Sequence, residues 1–131
     1  MKTMLIGIAA ALIGTALIWL AGGSETYPYS FWWLTPIVGL ALGFTIKPAP
    51  FAIVLALFSG GLGWGLPLLY RSTYLATGNV APVVASIVGI GSTNGWIIIT
   101  VTILLGILLC VSSAWTGIAL RQVLGFRLKA I

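Results

Sequence analysis

The sequence predicts an all-α fold: a four-helix transmembrane bundle, both termini cytoplasmic, with a short external helix between the third and fourth spans. Three observations carry this expectation. Of 131 residues, 60% are apolar and 5% charged, whereas an average soluble domain is about 25% charged. Mean hydropathy is +1.20. So few charges leave no means of covering a water-facing surface, so lipid is the solvent. Four apolar segments stand out, each close to the ~20 residues that cross a bilayer core. The six basic residues fall between those segments, not inside them.

The first segment, residues 4–21, reads "MLIGIAAALIGTALIWLA" and follows Lys2. A secretory signal has the same order of parts, but its apolar core is only about 7–15 residues long. The longer run here is expected to stay as the first span. The second segment, residues 29–46, is short and carries Pro36 near its start. The third, residues 49–70, holds the glycine-rich "FSGGLGWGLPLLY", and the fourth covers residues 96–120. Tyr27, Tyr29, Phe31, Trp32, Trp33, Tyr70, Tyr74 and Trp96 gather at segment ends on one side, as an interfacial aromatic belt would.

Residues 80–90 are apolar too, but as a helix they reach only about 16 Å, half a bilayer core. The expected placement is a helix lying at the external interface. The alternative is a re-entrant half-helix, which lipid tolerates only when other helices shield its ends. Four spans put Lys2, Lys47, Arg121, Arg127 and Lys129 on one side and Arg71 on the other. The positive-inside rule makes the five-residue side cytoplasmic, in a cell membrane. A fifth span would reverse that bias. The tail from Leu120 onward is expected to prolong the fourth span, its basic residues acting as a stop signal. A basic amphipathic helix on an anionic leaflet is the other reading. The whole chain, 1–131, is a single membrane domain.

Glycine is concentrated where the helices are most apolar. At 100° per residue the first span aligns Gly7, Ala10, Ala11, Gly14 and Ala21 on one face. The second aligns Thr35, Gly39 and Gly43; the third Ala52, Ala56, Ser59, Gly60, Gly63 and Pro67; the fourth Thr102, Gly106, Cys110, Ser113 and Gly117. In lipid the drive between helices is close backbone approach, and small residues permit it. Gly7, Gly14, Gly39, Gly43, Gly60, Gly63, Gly106 and Gly117 are therefore the expected packing residues. Gly61 and Gly65 offer a second small patch on the third span.

Chemistry is scarce. With no histidine, no aspartate, one cysteine and one glutamate, no metal cluster can be built, and no cofactor is expected. No Asp, Glu, Lys, Arg or His lies inside a span, which counts against carboxylate-dependent ion coupling. "GGLGWG" lacks the lysine and hydroxyl of a phosphate loop. The basic residues are too scattered for a nucleic-acid surface. Cys110 reads as a small apolar filler. The functional expectation is a non-enzymatic multi-pass membrane protein, a subunit of a homo-oligomer or larger membrane complex that assembles by docking its small-residue seams, Gly60, Gly63, Gly106 and Gly117 above all, against partner helices. Its partners are the bilayer and other transmembrane helices, its own or another subunit's, and not nucleic acid. The alternative is a channel or facilitator for a small uncharged solute or ion. Glu25, Arg71, Asn94, Thr102 and Ser113 would then line the pore or vestibule. A membrane enzyme comes third, for want of catalytic groups.

Overall fold

The computed structural model describes residues 2–23, 33–74 and 80–130, and these are helical with no strand among them. Five α-helices follow in order: α1 Lys2–Gly23, α2 Leu34–Thr45, α3 Ala49–Tyr74, α4 Val80–Val88 and α5 Gly95–Ala130. A 3₁₀ turn, Ser92–Asn94, leads into α5. Two helices contain segments long and apolar enough to cross a membrane, Ala49–Tyr70 in α3 and Ser92–Gly125 in α5. The apolar stretches Met4–Leu20 and Leu34–Thr45 are shorter. The part of the expected second span ahead of Trp33 lies outside the described residues, as do Glu25 and the belt residues Tyr27 to Trp32.

Proline and glycine set the boundaries. α2 stops at Ile46, whose backbone is extended (φ −87°, ψ 114°) while its N–H still donates to the Leu42 carbonyl at 3.0 Å. Pro48 then disfavours helix at Lys47 and lets α3 start afresh, with Pro50 in its first turn, where no helical donor is needed. Pro67 lies inside α3, so the Gly63 carbonyl loses its helical donor. α4 ends in a Schellman turn at Gly89. The Ile90 N–H donates to the Ala85 carbonyl at 3.0 Å and the Gly89 N–H to Ser86 at 3.1 Å. Gly89 has φ +88°, a conformation that only glycine adopts without steric cost.

The four long elements form a rhombus. α3 lies between α1 and α5, α2 closes the ring between α5 and α1, and α2 and α3 touch across the short diagonal. Among the described residues α1 and α5 do not meet. Directions alternate along the chain. Gly7 faces Phe51 and Gly63 faces Ile18, so α1 and α3 run the same way. Gly39 faces Cys110 and Gly117 faces Phe44, so α2 and α5 run together in the opposite sense. Among the described residues α4 packs only on the 3₁₀ turn and on α5, where Gly95 abuts Pro82.

The core mixes small and branched side chains. Ala52, Ala56, Cys110 and Ala114 are wholly enclosed, with Ile18, Val38, Leu42, Ile46, Leu55 and Ile118 buried beside them, while Ile6, Trp19, Phe58, Leu108 and Trp115 face outward. So much exposed large apolar surface is the informative departure from a water-soluble fold. Ala10 is partly buried and Pro67 is buried, and the side chain of Ala21 is outside the described set.

Candidate functional site

The candidate site is the junction of α2, α3 and α5, where each backbone approaches its neighbour through a glycine. On α2, Gly39 and Gly43 are one turn apart. A Cβ built on either would fall on a carbonyl oxygen of α5, that of Cys110 or of Ala114. Gly117 of α5 returns the contact against the Leu40 carbonyl and the Phe44 nitrogen. Gly60 of α3 meets the Gly106 carbonyl and Cys110 Cβ, each 2.9 Å from a built Cβ. α1 is held differently. Gly7, Gly14 and Gly63 meet side chains, those of Phe51, Val38 and Ile18. Gly61 and Gly65 face Ile107 and Ile103, so the second small patch of α3 also lies against α5. All eight glycines picked out for packing therefore sit at contacts within one chain.

Polar groups tie the same junction. Trp64 of α3 lays its indole on Gly106, where a Cβ would come within 2.5 Å of Cγ. Its Nε1–H donates to Thr35 Oγ of α2 at 2.9 Å. One tryptophan thus touches three helices. Ser59, buried, donates to the Ala11 carbonyl of α1 at 3.1 Å, and Thr15 donates to the same oxygen at 2.8 Å. No buried side-chain polar atom lacks a partner among the described residues. Trp64→Phe keeps the ring but strands the Thr35 hydroxyl. It is expected to lower stability by about 1 kcal/mol, read as an earlier midpoint in detergent unfolding, with helicity unchanged.

Arg121 is the site residue that charge counting missed. Its guanidinium donates to the carbonyls of Phe44 at 3.4 Å, Lys47 at 3.1 Å and Ile46. These are orphan acceptors at the end of α2, and a planar fork of donors suits several at once. In the sequence Arg121 reads only as a stop signal. A helix end beside Lys47-Pro48 was the available hint, but its partner lies more than seventy positions away.

Of the residues expected at a pore or vestibule, the three that are described each bond within their own turn. Thr102 donates to the Ile98 carbonyl at 2.8 Å and Ser113 to Leu109 at 2.7 Å, each one turn back on α5. Asn94 donates to Ile90 at 2.6 Å, closing its own turn. Glu25 and the side chain of Arg71 lie outside the described set. Among the described residues no cluster of His, Cys, Asp or Glu could hold a metal.

No protein-family model, curated protein or solved structure matches the chain. Its reading rests on this geometry.

Proposed function

We propose that the chain is a non-enzymatic multi-pass protein of a cell membrane, a subunit of a homo-oligomer or of a larger membrane complex. α1, the segment ending in α2, α3 and α5 are its four crossings, and both termini are cytoplasmic. One observation carries the reading: of the two helices long and apolar enough to cross a membrane, the one with the more apolar window is the less covered. The apolar window of α5 is 17% buried against 44% for that of α3. A stripe including Leu104, Leu108 and Trp115 on α5 faces outward, a face suited to acyl chains or to another helix. The glycine seams expected to dock partners are taken up by helices of the same chain, so partner contact falls to this bulky face. Packing is favoured over conduction because the hydroxyls of Thr102 and Ser113 are engaged on their own helix and a continuous apolar cluster occupies the centre.

Two differently tagged copies, co-expressed and solubilised in mild detergent, test the reading. Either tag should pull down the other copy, or a stoichiometric second membrane protein. A 13.7 kDa chain that purifies alone as a monomer would sink the subunit reading. Solute flux in liposomes holding that monomer would favour a facilitator.

A further inference from the structure

We propose that the end of the bundle bearing Lys2 and Lys47 is a binding site for the phosphate headgroups of anionic phospholipids, an inference that rests on the membrane reading above. Packing contacts, independent of any charge count, bring the basic residues to one end. Gly7 abuts Phe51 and Ile46, so the first turn of α1 lies level with the turn between α2 and α3. Arg121 grips that same turn. α5 then runs on to Ala130, carrying the backbone of Arg127 and Lys129 about 9–12 Å farther.

The roles of these cations differ. The Arg121 guanidinium is engaged on backbone carbonyls, whereas Lys2 and Lys47 are exposed. Among the described residues no Asp or Glu answers them, for the one acidic residue of the sequence, Glu25, lies outside that set. Exposed ammonium groups without an acidic neighbour attract an anion from outside. Their surroundings select its kind, because Met4, Leu5, Phe44 and Leu120 are exposed just inside the same rim. Cation above and bare apolar surface below match a phosphate joined to acyl chains. A nucleic acid or a free phosphate has nothing to set against the lower half.

The test uses the full chain in neutral detergent, offered equal amounts of phosphatidylglycerol and phosphatidylcholine with identical tails. Bound lipid is counted by native mass spectrometry. The wild type should retain phosphatidylglycerol in at least about fivefold excess, and the double variant Lys2→Gln/Lys47→Gln should fall to near parity. Arg71→Gln, at the far end of α3, should leave the excess intact. Helicity and protection of Cys110 from maleimide confirm that each variant is folded. Equal retention of the two lipids by the wild type, or an excess unchanged in the double variant, overturns the inference. So does competition by millimolar inorganic phosphate or a short oligonucleotide, which would assign the lysines to a soluble anion. Alkaline carbonate extraction separates this failure from the deeper one. Release of the chain from membranes would remove the membrane reading itself.

Discussion

Gly43→Leu is expected to prevent α2 and α5 from packing and to be the costliest substitution in this bundle's seams. Even a Cβ at position 43 falls on the Ala114 carbonyl and lies 2.9 Å from its Cα. That neighbour is backbone, so no rotamer change relieves the clash. Overpacking a core costs about 1–3 kcal/mol where side chains can yield. Here the helices must separate, and the Gly39 and Gly117 contacts separate with them. Gly43→Ala should already lose about 2 kcal/mol or more, despite the gain of roughly 1 kcal/mol that alanine brings to a helix in water. Cys110 provides the readout, since it is fully enclosed in the native bundle. Maleimide labelling should be slow in the wild type and fast in Gly43→Leu. Gly125, with nothing within 4 Å of a built Cβ, is the control, and Gly125→Ala should label as slowly as the wild type. Slow labelling of Gly43→Leu would refute the seam.

Arg121→Leu should be the next most damaging change. It leaves the carbonyls of Phe44, Ile46 and Lys47 without their donor at the end of α2. A hydrogen bond to a charged group contributes about 1.5–3 kcal/mol, but part of this cluster is exposed and screened. A net loss of about 2 kcal/mol is expected, read from the midpoint of unfolding in mixed micelles. Arg121→Lys should recover less than half, because one ammonium cannot reach three divergent oxygens as the fork does. Full recovery by lysine would mean that only the charge matters, through the α2 helix dipole.

What was legible in the sequence was residue size. In a chain this apolar, hydropathy does not distinguish a buried side chain from a lipid-facing one, since Ile6 and Ile18 score alike although one is exposed and the other buried. The rows of glycine, alanine and serine do distinguish them, because only small residues let two backbones approach. Hence Gly39, Gly43, Gly60 and Gly106 could be placed on contact faces beforehand. Which face meets which was not legible, because one smooth seam fits another equally well. Specificity comes from features with no local signature, such as the Trp64 indole on Gly106 and the Arg121 fork on α2. The extent of α5 was legible too: the tail after Leu120 is expected to prolong the fourth span, and the helix runs on through it to Ala130.

The side-by-side course of α2 and α5 bears on how the protein is made. α2 is complete at Thr45, but the backbone it needs at Gly39 and Gly43 belongs to α5, which begins only at Gly95. Until α5 is made, that flank of α2 lacks its native cover. A ribosome stalled before residue 95 would therefore hold an α2 still exposed to protease or cross-linker at positions that the finished protein conceals.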